Sequence, residues 1–312
     1  MPMPTATRTK TTQKRTAIHS RSTNKAWTIR RAGGIQILQS RALLKLPSFV
    51  HGFSTRPSGD SLLNGDKVLN LGFTEWDSRE NVLANRKRLL EALGAGRLQL
   101  IALRQIHSDI VHVIEAPPGE TLRGDAVITH VPGLLLSVQT ADCIPILLAD
   151  AKRRAVAAVH AGWRGTLRRI AAKTVGRMQM IFGTRPADVI AALGPGIAGC
   201  CYEVGPEVAK EYATQFSHAR EWFDGPFDQL VAEDEPNPLP WLSMAPPGHE
   251  LPTPRVHLDL FAANHAILVE AGVLPKHISG SGLCTACRTD LFFSYRREGG
   301  HTGRMMAVLG LR

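Results

Sequence analysis

Residues 154–183 read RAVAAVHAGWRGTLRRIAAKTVGRMQMIFG, and the change of pattern inside this stretch decides the fold class. Ala155 to His160 form a short apolar run of the kind that builds a buried strand. After Gly162 and Gly165 the apolar residues recur at the spacing of a long helix. The result is a strand–loop–helix unit with His160 at the C-terminal end of its strand.

The flanking segments repeat the alternation. Upstream, LQLIALRQIHSDIVHVIE (98–115) has strand propensity on both sides of a polar interruption, which places His107 at a strand end or in the following turn. GDAVIT (124–129) and LLLSVQTADCIPILLAD (134–150) read as two further strands. Pro145 argues against a regular central position for the second, because proline brings no donor to a ladder. Further upstream, DSRENVLANRKRLLEALG (77–94) predicts a helix with Val82, Leu83, Leu89 and Leu90 at helical spacing. Asp77 or Ser78 would cap its start and Gly94 would end it. Downstream, DVIAALGPGIAGCCYEVG (188–205) runs from a strand into a glycine-rich turn and a helix, GPEVAKEYATQF. VHLDLFAANHAILVEAGV (256–273) predicts another helix, KHISGSG (276–282) a short strand, and the last residues a final core strand. Alternation of this kind predicts an α/β class.

Charge and composition set the boundaries. The chain has 312 residues, 44% of them hydrophobic and 21% charged, enough to bury a substantial core in a single domain. Its net charge of +10 is unevenly placed: residues 1–59 carry eleven Lys or Arg and no acid, leaving 26 basic and 27 acidic residues beyond them. Residues 1–45 are therefore read as a basic, disordered tail ahead of a domain over 46–312. An organellar transit segment has the same composition, and such a tail would also give weak, non-specific nucleic-acid binding. No apolar run is long enough for a membrane span. Residues 217–255, rich in Pro, Asp, Glu, Gly and aromatics, read as a long irregular insertion, a surface loop or lid. A cytoplasmic location is expected, with import by the tail as the alternative.

Three polar side chains in apolar surroundings carry the chemical signal: His107, Cys143 and His160. A thiolate and two imidazoles suit Zn²⁺, and three protein ligands leave one coordination position open for chemistry. A satisfied core histidine and a buried thiol are the plain alternatives. Strand alternation turns Asp142 away from its neighbour Cys143, so Asp142, like Asp125, is better suited to orient an imidazole N–H or a loop backbone than to bind the metal. Arg164, at the apparent strand-to-helix junction, can help to hold an anion. Arg56, Asn70, Arg88 and Arg296 lie in separate polar segments. Phe292, Phe293 and Tyr295 beside Arg296 would suit either core packing or a ligand with a flat base. Cys284 and Cys287 form a lone CxxC, read first as structural thiols, with a redox pair and a metal site as the other readings.

Taken in order, RQIHSD, GDAVIT, TADCIPILL, VHAGWRGT, LGPGIAGCCYEVG, HLDL and FFSYRREGGHTGRM resemble the YfiH-type family over about residues 50–312. That family has been called multicopper polyphenol oxidase or laccase-domain, and is now understood as purine nucleoside phosphorylase. The resemblance implies a single α/β domain with mixed β-sheets packed between helices (layered α/β/β/α) and a zinc centre at His107, Cys143 and His160. It implies phosphorolysis of purine nucleosides by inorganic phosphate, including methylthioadenosine, and deamination of adenosine. Asn70 and Arg88 match a family Asn and a helix Arg placed at the site, with Arg86 competing for the role of Arg88. With them, Cys143 and Arg164 are the expected catalytic residues, and Arg56, Asn70, Arg88, Arg164 and Arg296 the candidates to bind substrate or phosphate. The chain departs from the family where Phe73–Trp76 replace a histidine-containing stretch and where Ser108 follows the first metal histidine. The competing functions are copper-dependent phenol oxidation, which ordinarily needs more histidines, and a non-enzymatic, zinc-stabilised interaction module.

Overall fold

The computed structural model describes residues 25–231 and 255–312. Two six-stranded mixed sheets dominate it. In spatial order, the first contains Trp27–Ala32, Ile35–Ser40, Phe49–Ser54, Met305–Leu311, Leu134–Thr140 and Gln99–Ala102. The second contains Ile278–Gly280, Ile190–Leu193, Ile144–Asp150, Ala155–Ala161, Ala126–Thr129 and Val111–Val113.

Strand alternation sorts the side chains into layers. In the first sheet Leu136, Val138, Ala307 and Leu309 face the second sheet, where they meet Leu147, Ala149, Val156 and Ala158. Leu135, Met306 and Val308 point the other way, onto Leu89, Ala92 and Leu93 at the end of the Arg79–Ala92 helix. The outer face of the second sheet, including Ile146, Leu148, Ala157 and Val159, is covered by the helices Ile170–Phe182, Pro206–Gln215 and Leu260–Glu270. Strands buried on both faces read as continuous apolar runs because each parity has its own layer to fill. The order is helix, sheet, sheet, helix, the layered α/β/β/α arrangement expected.

The helix over 79–92 starts where its cap requires: Ser78 Oγ accepts from the Asn81 N–H at 3.1 Å. It ends at Leu93, followed by Gly94 at φ +65°, a left-handed position that favours glycine. Leu83 is exposed, and the buried stripe includes Asn85 instead, whose amide donates to Ser61 Oγ and the Asn70 carbonyl. The single long helix expected after Gly162 is two pieces, Trp163–Leu167 and Ile170–Phe182, with Arg169 at φ +60° between them.

Three sequence expectations are corrected. The domain includes residues ahead of 46: among the described residues its first strand is Trp27–Ala32, and Trp27, Ile35, Ile37, Leu38 and Leu43 are all buried. The basic count concealed this because Arg30 and Arg31 sit exposed on the sheet's edge strand, where charge is tolerated and discourages edge-to-edge pairing. Of the tail expected over 1–45, residues 1–24 lie outside the described residues. The 217–255 insertion is not irregular at its start: Trp222, Phe223, Phe227 and Leu230 pack into the helical layer, while 232–254 lie outside the described residues. Pro145 occupies a central strand after all. His160 sends its N–H to the Asp125 carbonyl, so Pro145 opposite it faces the other neighbour, and there it needs only to accept from the Gly194 N–H at 2.8 Å.

A chain shortened to begin at residue 46 loses five buried apolar side chains, each contributing roughly 1.5–3 kcal/mol. That loss is comparable with the whole stability of an ordinary domain, about 5–15 kcal/mol. Circular dichroism melts should show no cooperative transition for this shortened chain under conditions where the full chain melts as one unit.

Candidate metal centre and the cleft around it

Two of the three candidate ligands descend from the register of one strand pair. Ile144 pairs with Ala161 and Pro145 with His160, so Cys143, one residue before the ladder, lies diagonally across from His160. Both belong to the parity that faces the first sheet. His107 reaches the same point from the loop after Gln99–Ala102, held at φ +57°. The ligand atoms of His107, Cys143 and His160 all lie within 4.8 Å of one another. Cys143 Sγ is 3.9 Å from His107 Nε2, close to the roughly 3.6 Å that tetrahedral Zn–S and Zn–N bonds would impose. Gly162 is required beside them, since a Cβ there would stand 2.9 Å from Cys143 Sγ and 3.1 Å from the His107 ring.

Asp125 organises the trio. Fully buried, it accepts from His160 Nδ1–H at 2.9 Å, from the Ser108 N–H and hydroxyl at 2.6 Å each, and from the His107 N–H at 3.0 Å. The bond to Nδ1 leaves His160 Nε2 as the free ligand atom, and the bonds to residues 107 and 108 hold the His107 turn. Ser108 therefore has a defined role through its hydroxyl. Burial acts to raise the Asp125 carboxyl, but the hydrogen bonds from His160 and Ser108 hold it well below the usual carboxylate range. Burial likewise acts to raise the Cys143 thiol, yet the charge of His160 and hydrogen bonds from both histidines bring it to about 6. His160 responds in reverse: burial lowers it, but the Cys143 thiolate and Asp125 raise it to about 9. A thiolate and two imidazoles poised this way fit a zinc-type donor set.

The trio opens into a cleft of about 600 Å³, within the range that encloses a small ligand. Arg164 and Arg296 are among the residues that line it. Arg164 lies over the Trp163 ring at 4.3 Å, and Arg296 lies over Tyr202 while donating to the Glu203 carbonyl at 2.6 Å. Asp142 sits at its edge at φ +96°, accepting from the Thr285 hydroxyl and the Arg296 N–H, so it orients loop backbone and not an imidazole.

The other three candidates do not line this cleft. Asn70 is fully buried, its amide donating to the Gly72 carbonyl and Asp77 and its carbonyl accepting from the Gly72 and Arg304 N–H groups. Arg88 turns outward to Asp60 and the Ser58 carbonyl. Arg86 is half-buried, donating to the Leu71 carbonyl with its guanidinium over the Phe73 ring, but it too stays outside the cleft. Arg56 pairs with Glu298 and braces the loop that carries Arg296. Sequence reading missed Arg304, which lines the cleft beside Tyr295 and whose charge is disfavoured chiefly by burial. A lone arginine between Gly303 and the apolar MMAVLGL strand was the available signal. Tyr202, Gln105 and Gln139 were also missed.

A family model described as multi-copper polyphenol oxidoreductase laccase matches residues 50–312. The chain belongs to this family, of the YfiH type. It is 40% identical over 272 residues to "Purine nucleoside phosphorylase" of Deinococcus radiodurans, covering 86% of this chain and 92% of that one. It is 34% identical to "Adenosine deaminase RL5" from an unknown prokaryotic organism, covering 82% and 91% respectively. Among solved structures, YlmD from Geobacillus stearothermophilus superposes with a TM-score of 0.73 at 30% identity, covering 92% of this chain and 99% of that one. The layered fold is thus the one that YfiH-type proteins share.

Two measurements test the centre. In metal-free protein, alkylation of Cys143 followed by peptide mass spectrometry should rise with pH through a midpoint near 6 and then level off, since the thiolate is the reacting form; an ordinary thiol midpoint would contradict the thiolate. Asp125→Asn should weaken zinc binding roughly 10–100-fold in competition with a chromophoric chelator, because the imidazole loses its acceptor and the His107 turn its anchor.

Proposed function

We propose that this chain is a zinc-dependent purine nucleoside phosphorylase that also deaminates adenosine and accepts methylthioadenosine. One observation carries the reading: a three-ligand centre opens into a cleft lined by Arg164, Arg296 and Arg304, none of which forms an ion pair among the described residues. Unpaired guanidinium groups in a half-enclosed space favour an anionic ligand, and inorganic phosphate is the anion that phosphorolysis consumes. The aromatic rings of Trp163, Tyr202 and Tyr295 suit a flat base. The names of the relatives, one a phosphorylase and one a deaminase, point to the same substrates.

His107, Cys143 and His160 would hold the zinc, and its Lewis acidity at the remaining coordination position is the chemistry that hydrolytic deamination at C6 requires. The protein's own residues account for the rest. Asp125 keeps His160 in one tautomer and the His107 turn in place. Arg164 and Arg304 bring fixed positive charge to where phosphate approaches C1′, so that phosphate is oriented and the charge developing on sugar and base is offset. Tyr202, half-buried and near the Cys143 thiolate, keeps its phenolic proton well above neutral pH and remains a hydrogen-bond donor in the cleft wall. Asn70 acts at one remove, by fixing the Arg304 backbone.

Copper-dependent phenol oxidation is favoured only by the descriptive name of the family model. Beyond the trio, the described residues offer one other cluster with metal-ligand spacing, and it is built from thiols alone, whereas multi-copper oxygen chemistry draws on several histidine-rich sites.

The decisive assay gives adenosine, guanosine, inosine and methylthioadenosine to the zinc-loaded protein with and without phosphate and identifies products by mass. Free base with ribose phosphate should appear only with phosphate, and inosine with ammonia from adenosine in both cases. Arg164→Ala should raise the phosphate KM roughly ten- to a hundredfold, the loss of one charge-assisted contact. Deamination, which uses water in place of phosphate, should change by no more than a few-fold. Equal losses in both reactions would remove Arg164 from the phosphate site, and base release independent of phosphate would overturn the phosphorylase reading.

A further inference from the structure

Four of the five cysteines converge away from the cleft. Cys200 and Cys201 lie in the turn after Ile190–Leu193, and Cys284 and Cys287 in the loop after Ile278–Gly280. Their four sulphurs lie within 4.8 Å of one another. Three of the separations are 3.4 Å (Cys201 to Cys287), 3.6 Å (Cys200 to Cys287) and 3.8 Å (Cys200 to Cys201). Thiolates bound to one zinc at about 2.3 Å stand about 3.8 Å apart along each edge of a regular tetrahedron. The loops are already shaped around such a point: the Ala198 N–H donates to Cys284 Sγ at 3.4 Å, the Cys201 N–H closes a turn onto the Ala198 carbonyl, and the Arg288 N–H closes another onto the Cys284 carbonyl. An N–H aimed at sulphur favours the ionised form, which is the metal-binding form.

We propose that Cys200, Cys201, Cys284 and Cys287 bind a second zinc ion as a closed tetrathiolate that clasps these two loops together. It shares no ligand with the His107, Cys143 and His160 centre and stands independently of the phosphorylase reading. Four soft ligands with no histidine and no open position describe a structural ion. The clasped loops build the cleft wall. Tyr202 follows Cys201 directly, and Thr285 follows Cys284 and donates to Asp142, whose other oxygen holds the Arg296 backbone. A single β-bridge, Gly196 with Cys284, already brings the two loops together, and a metal crosslink between residues more than 80 positions apart would lock the wall beside it. Binding displaces one proton from each thiol that is still protonated and involves no oxidation.

The test uses the full chain carrying Cys143→Ala, which removes a ligand from the first centre and leaves all four cysteines in place. The protein is stripped of metal under reductant and reloaded with zinc or cobalt alone. Elemental analysis should find two zinc ions per wild-type chain and one in the Cys143→Ala variant. Cobalt in that variant should show thiolate-to-metal charge-transfer absorption, and zinc should slow alkylation of all four cysteines at least tenfold, read by peptide mass spectrometry without any further substitution. No zinc in the variant or unchanged alkylation would each overturn the proposal, as would finding, in protein purified without stripping, the four residues as disulfides or iron in place of zinc. Adding Cys284→Ser and Cys287→Ser should then abolish the remaining metal, with circular dichroism reporting whether the chain still folds.

Discussion

The buried carboxylate of Asp125 is the interaction on which the rest of the site depends. A charge with no exposure is costly to bury unless its lone pairs are filled, and here His160, His107 and Ser108 fill them. One group thereby sets the tautomer of a strand histidine and the left-handed turn of a loop histidine. Its backbone takes part as well, since the His160 N–H donates to the Asp125 carbonyl at 2.7 Å. Strand pairing and ligand orientation are the same structural event at this position, which is how a loop and two strands place three donor atoms around one point.

The location of the cleft follows from how the two sheets meet. Along the shared inner face the side chains are apolar through Val138, Leu147 and Ala158. At the next position of the same parity, Leu134–Thr140 presents Thr140 and Ala155–Ala161 presents His160, while Cys143 lies just before the strand that carries Leu147. The face changes from apolar to polar where the strands run out, so the interior of the sandwich opens into a polar cleft at that edge. Ligands commonly bind at such ends, where loops leave a rigid scaffold.

The opposite wall is built from the segment between Ser281 and Arg304, and it is held by carboxylates instead of by a sheet. Asp142 fixes the Thr285 side chain and the Arg296 backbone, and Glu298 gathers Arg56, the Ser294 N–H and the Thr302 hydroxyl. Several residues with the chemistry of substrate contacts are braces in this setting. Arg56 and Asn70 are spent on internal partners, and the cations left for a ligand are those with no carboxylate opposite them. A tetrathiolate at the base of the same wall would complete this system of ties.

Much of this was legible in the sequence, for a physical reason. Strand and helix periods, the Ser78 cap and Gly94 follow from local backbone chemistry, and a class of alternating strands and helices follows from those. His107, Cys143 and His160 stood out because polar groups in apolar runs must have partners, and the family resemblance supplied the grouping. Tertiary structure decided what depends on neighbours distant in the chain. Arg30 and Arg31 belong to a folded edge strand because residues 35–40 pair with it, and Pro145 is central because of which way a non-bonded register turns its missing donor. Arg88 faces outward while Arg304 faces the cleft, because an arginine's role is set by whether a carboxylate lies opposite, and that is a property of packing which no local spacing encodes.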